Sequence, residues 1–454
     1  MSGMIATSNR RAVIGAGVTG RSLARFLSTR NIPFDWYDTR KSMVEISMSE
    51  SEQLDAPLQF GQIKPDQLCG YDEIILSPGI AKSETYITKA QEAGSRVVGD
   101  IELFARHSDI PVAAITGSNG KSSVTTLLAE VAQACGRNAI AAGNLGDPVL
   151  DQLDRDYDLF VLELSSFQLE TTSSLTPVVA VILNMSPDHM DRYPSMIAYH
   201  AAKQRIHSGA AAVVSNRDDL LTQPMLADTQ RHSSFGFDQP DLGHYGLRDR
   251  DGTVYVAHGI DSLFPVENIE LKGRHNLANA MAVLAMSDFL GLDRQIAVEV
   301  VCSFKGLPHR CELVGNKNDL RWVNDSKATN VGAAVAAIEG LCDEVSGQFI
   351  LIAGGQTKDQ EFADFGKLVS EKIDQLILLG EGAEEIAKSV IAEAIKGETK
   401  ISFAENMQDA VAVAAENAGP QDCVLLSPAC ASFDQFTGYQ DRGDQFRAAV
   451  GALQ

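Results

Sequence analysis

The hydrophobic positions of this chain fall into short apolar runs, most of them followed by a turn with glycine or small polar residues and then by a longer stretch with helical spacing. Short apolar runs bounded in this way are typical of buried parallel strands, and their alternation with helices predicts an α/β fold. The predicted strands are 11–14, 33–37, 73–76, 112–115, 158–163, 178–183, 211–215, 321–323, 349–352, 376–379 and 423–426.

The most informative turn lies within Pro111–Thr126, which reads PVAAITGSNGKSSVTT. Gly117 and Gly120 allow a tight turn whose N–H groups point inward. Lys121 adds a positive charge, and Ser122 stands beside it at the start of the following helix. The pattern is a shortened phosphate loop, GxxGKS, because the full motif has a further glycine upstream. A solvated loop is the plain alternative, and the strand before and the helix after the turn count against it.

Another glycine-rich turn, the first along the chain, follows the first strand. There RAVIGAGVTG carries Gly15, Gly17 and Gly20 in GxGxxG spacing before a helix that runs to about Thr29. Asp38 ends the second strand and is well placed to hydrogen-bond a ribose hydroxyl. Taken alone, this pattern predicts an NAD-dependent oxidoreductase. However, such a turn binds any diphosphate, and a simple dehydrogenase has no use for a second phosphate loop.

Polar side chains also stand where two central strands end. Glu163 ends the apolar run DLFVLE, and Asp188, His189 and Asp191 follow the next strand in NMSPDHMDRY. The carboxyl edge of an α/β sheet is where ligands bind, and carboxylate oxygen is a hard ligand that suits Mg²⁺. A glutamate that faces water and a loop histidine with ordinary partners are the plain alternatives.

The length of 454 residues exceeds what one core usually supports, so about three domains are expected. We place an N-terminal Rossmann-like domain at 1–98, a central P-loop ATPase domain with a mostly parallel sheet at 99–306, and a C-terminal Rossmann-like domain at 307–454. Gly306–Arg310, GLPHR, is expected to be a hinge between the last two domains. Within 211–268 the pattern predicts one strand, at 211–215, followed by loops and short strands.

Composition narrows the possible partners. The net charge of −22 argues against a nucleic-acid or anionic-membrane partner, because no basic stripe could neutralise phosphates. The seven cysteines show no CxxC pair, which fits reduced thiols, and no run approaches the ~20 apolar residues that a membrane span requires. We expect a cytoplasmic protein that acts as a monomer.

The residues TGSNGKS at 116–122 resemble the nucleotide loop of the muramyl ligase family, which joins amino acids to a UDP-linked sugar in bacterial cell-wall synthesis. Folate polyglutamate ligases share that loop. The stretches DTR at 38–40 and SPGI at 77–80 are most similar to the branch that adds D-glutamate to UDP-N-acetylmuramoyl-L-alanine. The resemblance covers nearly the whole chain. It implies ATP, that UDP-sugar and D-glutamate as substrates, and Mg²⁺, as two ions, as cofactor.

The resemblance also implies roles for individual residues around ATP. Lys203, in the stretch YHAAKQRI, would be carbamylated, although a solvated helix lysine is its plain alternative. The catalytic group would be Lys121, Glu163, His189 and the carbamylated Lys203, and the metal ligands Ser122, Glu163, His189 and Lys203. ATP would be bound by Gly117, Ser118, Asn119, Gly120, Lys121, Ser122, Ser123, Asn279, Arg310 and Asp325.

The other two substrates are assigned in the same way. A plain surface arginine is the alternative for Arg40, and Asn276, near the ATP residue Asn279, has a helix cap as its alternative. At Tyr439 the chain departs from the family's usual phenylalanine. The UDP-sugar would be bound by Val18, Thr19, Asp38, Thr39, Arg40, Ser77, Gly79, Asn144 and His189. D-Glutamate would be bound by Lys327, Thr329, Lys358, Ser432 and Tyr439.

The expected chemistry follows from a general difficulty, which is that a carboxylate is a poor acyl donor. ATP converts one carboxylate oxygen into a phosphate leaving group, and the amine of D-glutamate then displaces phosphate from the acyl phosphate. Two alternatives stay open. One is another amino-acid ligase of the same family or a folylpolyglutamate synthase, and the other is a nucleotide-gated binding protein that uses ATP only to change shape.

Overall fold

The computed structural model describes residues 9–40, 54, 56–225, 230–317, 320–342, 345–357, 360–392 and 399–453. Their strands form three sheets. The strands are β1 (Arg11–Ile14), β2 (Asp35–Asp38), β3 (Leu58–Phe60), β4 (Glu73–Leu76), β5 (Arg96–Val98), β6 (Val112–Thr116), β7 (Ala139–Gly143), β8 (Leu159–Glu163), β9 (Val179–Ile182), β10 (Ala212–Asn216), β11 (Arg231–Phe235), β12 (Tyr245–Arg250), β13 (Thr253–His258), β14 (Asp261–Pro265), β15 (Glu312–Lys317), β16 (Leu320–Asn324), β17 (Phe349–Ala353), β18 (Gln375–Leu378), β19 (Lys400–Phe403) and β20 (Cys423–Leu426).

The α-helices of the described residues lie between these strands and at the end of the chain. They are α1 (Val18–Thr29), α2 (Thr85–Glu92), α3 (Asp100–His107), α4 (Lys121–Ala134), α5 (Ser166–Glu170), α6 (Met196–Gln204), α7 (Arg274–Phe289), α8 (Arg294–Ser303), α9 (Val331–Leu341), α10 (Ala363–Lys372), α11 (Ala383–Ala392), α12 (Met407–Asn417) and α13 (Tyr439–Ala452). None of these helices is both long enough and apolar enough to cross a bilayer.

The N-terminal sheet is parallel throughout and has the strand order β3-β2-β1-β4-β5. Helix α1 buries Leu23, Phe26 and neighbouring apolar residues against it. The third glycine of the GxGxxG turn is needed for this packing, because a Cβ at Gly20 would lie 2.0 Å from the carbonyl oxygen of Gly15. The turn therefore brings α1 close to the end of β1.

The central sheet has nine strands in the order β14-β13-β12-β11-β10-β9-β6-β8-β7. Its strands from β7 to β12 pair in parallel, and β13 and β14 continue the sheet in antiparallel pairs. Residues 211–268 thus add five strands to this sheet. The sequence did not predict most of them, because only two residues of each of β12 and β13 are buried and β12 contains charged residues such as Arg248 and Asp249.

The C-terminal sheet has the order β15-β16-β20-β17-β18-β19, parallel except for β15. Its two edge strands, β15 and β19, were not predicted, because edge strands carry few of the buried apolar residues that mark β17 and β20. The predicted α/β fold class with mostly parallel sheets is confirmed. The three domain boundaries stay a prediction.

The N-terminal and central sheets are tied together. Apolar residues of both sheets share one buried cluster, which includes Val13 and Phe160. Helix α1 also contacts the central region through Asp151, which accepts hydrogen bonds from Ser22 Oγ at 2.9 Å and Arg25 Nη2 at 2.6 Å. Helix α1, which follows the GxGxxG turn, is therefore anchored to the region that carries the phosphate loop.

Candidate active site

The phosphate loop lies between β6, which is buried along its whole length, and α4. Gly117 and Gly120 both have positive φ, +152° and +80°, so glycine suits both positions. A Cβ at Gly120 would lie 2.6 Å from Asn279 Oδ1, which shows how closely α7 approaches the loop. Lys121 Nζ bends back over the loop and donates to the carbonyl oxygens of Gly117 at 2.9 Å and Ser118 at 2.8 Å.

The segment after β9 supports the phosphate loop from the side. Ser118 Oγ donates to the carbonyl of Ser186 at 2.8 Å and accepts from its N–H at 2.9 Å. The N–H of Asn119 donates to Asn184 Oδ1 at 2.8 Å. Asn184 and Ser186 stand in the NMSPDHMDRY stretch, but the sequence gave no sign of this support because it depends on two neighbouring strand ends meeting in space.

Glu163 ends β8 and is only 3% exposed, so the alternative of a glutamate that faces water is wrong. Its Oε1 accepts from Asn144 Nδ2 at 2.8 Å, whereas its Oε2 is buried with no hydrogen-bond partner among the described residues. Burial raises the pKa of Glu163, but the Lys121 ammonium, the Asn144 amide and the Ser122 hydroxyl outweigh it and the net pKa is lowered. The carboxylate is therefore ionised, with one oxygen available to a cation.

Lys203 is 2% exposed, so the alternative of a solvated helix lysine is also wrong. It lies on α6 and donates from Nζ to the carbonyl of Gly117 at 2.8 Å and to Thr116 Oγ1 at 3.3 Å. Its pKa is lowered well below the ordinary lysine value, chiefly by burial and then by the nearby Lys121 ammonium. Burial lowers the pKa of Lys121 as well.

Asp188 and His189 lie at the same sheet edge. Asp188 is buried and accepts hydrogen bonds from the N–H of His189 at 2.9 Å and from Asn330 Nδ2 at 3.1 Å. His189 Nε2 is 3.6 Å from Asp188 Oδ2, and its ring makes an edge contact with Phe167 at 4.8 Å between centroids. Asn330 was not predicted as a site residue, although it stands in the motif NDSKATN and caps α9.

The C-terminal region contacts both the phosphate loop and the segment after β9. Arg310 Nη2 donates to Ser122 Oγ at 2.8 Å, and Asn330 bridges to Asp188 as described above. Between the two regions lies a cavity of about 400 Å³, a size that suits a nucleotide. Its lining includes the predicted ATP residues Asn119, Gly120, Ser123, Asn279, Arg310 and Asp325.

Asp325 and Asn276 both line this cavity, and their hydrogen bonds show what each side chain contacts. Asp325 accepts from Ser427 Oγ at 2.8 Å and from the N–H of Cys311 at 3.2 Å, and burial raises its pKa to about 7. Asn276 does not cap α7, because the N-cap residue of that helix is Gly273 and the Asn276 amide donates to the carbonyl of Lys272 at 2.7 Å.

The residues predicted for the UDP-sugar gather around the first glycine-rich turn, apart from Asn144 and His189. Asp38 is 2% exposed and accepts from the N–H of Ala16 at 2.6 Å and from Arg40 Nη2 at 2.9 Å, so Arg40 is an ion-pair partner as well as a surface residue. Ser77 Oγ is buried with no hydrogen-bond partner among the described residues. Val18, Thr39, Arg40 and Gly79 are exposed beside the turn, and Thr19 is half-buried.

The residues predicted for D-glutamate follow strands of the C-terminal sheet. Lys327 Nζ lies 3.7 Å from the centre of the Tyr439 ring, a cation–π contact, and Ser432 is buried. Thr329 is half-buried in the loop after β16. Lys358 lies outside the described residues.

The described residues supply only part of the ligand set that a metal ion needs. No group of three or more His, Cys, Asp or Glu side chains among them could hold a metal by itself. Glu163 supplies one free, buried carboxylate oxygen, and Asn144 holds that carboxylate in place. The donor set therefore fits a hard cation that takes its other ligands from hydroxyl groups, phosphate oxygens and water.

Comparisons with known proteins agree with this architecture. Three family models match: the Mur ligase MurD-like N-terminal domain over residues 9–99, the Mur ligase middle domain over 115–287 and the Mur ligase glutamate ligase domain over 309–430. The UDP-N-acetylmuramoylalanine–D-glutamate ligase of Hahella chejuensis is 44% identical over 450 residues, which cover 99% of this chain and 100% of that protein. The protein of the same name from Legionella pneumophila strain Lens is 44% identical over 97% of this chain and 98% of its own length.

Solved structures share the fold at lower identity. UDP-N-acetylmuramate-alanine ligase MurC from Thermotoga maritima superposes with a TM-score of 0.61 at 17% identity, covering 98% of this chain and 100% of that one. A pseudomurein peptide ligase type C from Methanothermus fervidus gives a TM-score of 0.61 at 18% identity, with the same coverage.

The fold, the phosphate loop and the family models together define an ATP-dependent ligase that forms an amide bond. The chain belongs to the Mur ligase family. The family, the enzyme class and the fold class predicted from sequence are confirmed, whereas the roles of individual residues stay predictions.

Lys121→Ala is expected to lower kcat by at least about 100- to 1,000-fold, because it removes a fixed charge from the phosphate loop. The free energy of unfolding should change by less than about 2 kcal/mol, since the lost hydrogen bonds to two carbonyls are offset by the removal of a buried charge. Steady-state kinetics and urea unfolding measure the two effects. Lys388→Ala, on the exposed face of α11, is the control, and near-normal turnover by Lys121→Ala would reject the phosphate-loop assignment.

Proposed function

We propose that this protein joins D-glutamate to UDP-N-acetylmuramoyl-L-alanine at the expense of ATP, through an acyl phosphate, as a step of peptidoglycan synthesis. The observation that carries the proposal is the charged group at the phosphate loop, in which Lys121 is half-buried and Glu163 and Lys203 are buried, beside a nucleotide-sized cavity. Full-length similarity to proteins named as D-glutamate ligases supports the choice of substrates.

The UDP-sugar would bind at the first glycine-rich turn. The N-terminus of α1, at which Gly17 provides no side-chain cap, suits a diphosphate, and the exposed Arg40 adds a positive charge beside it. Ser77 Oγ, buried without a partner among the described residues, supplies a further polar group at the turn. From there the sugar and its alanyl carboxylate would extend toward Asn144 and His189 at the edge of the central sheet.

ATP would occupy the cavity between the central and C-terminal sheets. The adenosine would lie near Asn279 and Asp325, and the phosphates would follow the loop from Gly117 to Ser123. Lys121 would exchange its two carbonyl contacts for phosphate oxygens. Arg310, which already contacts Ser122, would face the same phosphates from the C-terminal side.

Mg²⁺, as two ions, would be held by Ser122, Glu163, His189 and a carbamylated Lys203, and it would neutralise charge on the phosphates. The free Oε2 of Glu163 supports this assignment. The protein's own part is to orient the reactants. Lys121 and Arg310 position the γ-phosphoryl group in line with the alanyl carboxylate, whose oxygen attacks phosphorus while the bond to ADP breaks.

D-Glutamate would then bind over the C-terminal sheet. Lys327 supplies a cation for a carboxylate, and Thr329 and Ser432 supply hydroxyl groups. Lys358 would add a second cation. The amine of D-glutamate attacks the acyl carbon, the amide bond forms, and phosphate leaves with the electron pair of the former carboxylate C–O bond.

One chain contains all the residues proposed for the three substrates, so we propose that it acts as a monomer, in the cytoplasm where ATP is available. We also propose the domains 1–98, 99–306 and 307–454 as the units that bind the UDP-sugar, ATP and the amino acid. A nucleotide-gated binding protein would not need this separate amino-acid region.

The direct test is ADP formation with UDP-N-acetylmuramoyl-L-alanine and a panel of D- and L-amino acids. We expect one ADP per amide formed, dependence on both the UDP-sugar and the amino acid, and D-glutamate preferred over L-glutamate by at least about 100-fold. Equal turnover of L-glutamate would contradict the assigned amino acid. ADP release without an amino acid would favour the nucleotide-gated alternative.

Lys203 is proposed to carry a carbamate because it is buried beside a second ammonium, that of Lys121. The neutral amine adds to CO₂ and loses a proton, and the carbamate anion that forms is attracted to the Lys121 ammonium. In ¹³C-labelled bicarbonate, the protein should show a carbamate resonance that Lys203→Ala lacks. That variant should lose most activity and regain part of it with formate or acetate, and normal activity without the carbamate would refute this role.

A further inference from the structure

Arg442 is an arginine within α13 that has only 1% of its surface exposed. Among the described residues it makes no ion pair, although a buried charge usually has a partner of opposite sign. Burial lowers its pKa to about 10, so the guanidinium stays protonated at neutral pH. The carboxylates of Asp434 and Asp325 favour its charge without forming an ion pair, and the groups that accept its hydrogen bonds are dipoles.

Those dipoles come from three loops, which follow β16 (325–330), β17 (354–357) and β20 (427–438). Arg442 Nε donates to Ser326 Oγ at 3.0 Å and Nη2 donates to the Ser326 carbonyl at 2.8 Å. Nη1 and Nη2 both donate to the carbonyl of Cys430 at 3.1 Å. Longer contacts from Nη1 reach the carbonyls of Ala431 at 3.4 Å and Gly354 at 3.5 Å.

The carbonyl groups converge on one point, where they would repel one another without a cation between them. The backbone is shaped to allow this approach. A Cβ at Gly355 would lie 2.2 Å from the Ala431 carbonyl oxygen and 3.2 Å from Arg442 Nη1. Arg442 therefore fixes the spacing of the three loops.

Two of these loops carry residues proposed above for D-glutamate. Ser326 directly precedes Lys327, and Ala431 directly precedes Ser432. Ser326 Oγ, which accepts from Arg442, also donates to the carbonyl of Tyr439 at 2.8 Å, and the Tyr439 ring lies against Lys327 Nζ.

We propose that Arg442 is a positioning residue for amino-acid recognition: it sets the relative placement of Lys327, Ser432 and Tyr439 without itself touching the substrate. The inference rests on the proposed function. Chirality is read by at least three groups in fixed positions, so the spacing of the loops decides whether D-glutamate is distinguished from its mirror image. A lysine cannot replace Arg442, because its three donors come from one nitrogen, whereas guanidinium spreads five donors over a planar fork.

The test is Arg442→Lys in the full-length protein, with kcat and KM measured for each substrate. We expect the KM for D-glutamate to rise by about tenfold or more, the preference for D- over L-glutamate to fall, and the KM values for ATP and the UDP-sugar to stay within about twofold. A role in stability alone would lower the active fraction and leave all three KM values and the D/L preference unchanged.

Arg447→Lys is the matched control, because Arg447 lies on the same helix but pairs with Glu312 and Asp444 away from the three loops. If Arg442→Lys does not fold, Ser326→Ala tests the same inference. It removes the hydroxyl that bonds both Arg442 and Tyr439 and keeps the buried charge of Arg442. It should raise the KM for D-glutamate by about threefold or more, with the ATP value unchanged.

The outcomes separate the inference from the proposed function. If the unmodified protein does not use D-glutamate, both are overturned. If it does, and Arg442→Lys and Ser326→Ala leave the KM for D-glutamate and the D/L preference unchanged, or alter all three KM values alike, only the role of Arg442 is overturned.

Discussion

Two lysine side chains meet at a single carbonyl oxygen in this protein. Lys121 and Lys203 both donate to the carbonyl of Gly117, at 2.9 Å and 2.8 Å, and Lys203 is almost fully buried. Burial and mutual repulsion make this arrangement costly for two charged amines. It is stabilised by buried carboxylates, Glu163 and Asp188, whose charges favour both ammonium groups. An anionic ligand at the loop would stabilise it further, which supports the proposal that the loop binds the phosphates of ATP.

The C-terminal region contacts the central region close to the same two lysines. Arg310 contacts the hydroxyl of Ser122, and Asn330 contacts the carboxylate of Asp188. Both bonds end on groups that already surround the two lysines, and the nucleotide-sized cavity lies beside them. The contacts of the C-terminal region and the proposed nucleotide site therefore lie side by side. We propose the corresponding task for Arg442 in binding the amino acid, because it donates hydrogen bonds to the loops that carry Lys327 and Ser432.

Sequence was sufficient for the fold class and for most buried strands, because strands such as β6, β8 and β17 are continuous apolar runs. It was insufficient for the half-buried meander β12–β14 and for the edge strands β15 and β19. The phosphate loop and Glu163 could be predicted because strand ends in parallel sheets meet at one edge. The roles of Arg442, Asn184 and Asn330 could not be predicted, since each contacts a residue that is distant in sequence. The burial that distinguishes Lys203 from a surface lysine is visible only in the structure.

The central claim is that the alanyl carboxylate becomes an acyl phosphate. It is tested most directly by UDP-N-acetylmuramoyl-L-alanine labelled with ¹⁸O in that carboxylate. The labelled oxygen forms the bond to phosphorus, and its bond to carbon breaks when the amine attacks, so each phosphate released should carry one ¹⁸O atom, as measured by mass spectrometry. Phosphate that carries no ¹⁸O, with amide formed at the normal rate, would contradict the mechanism.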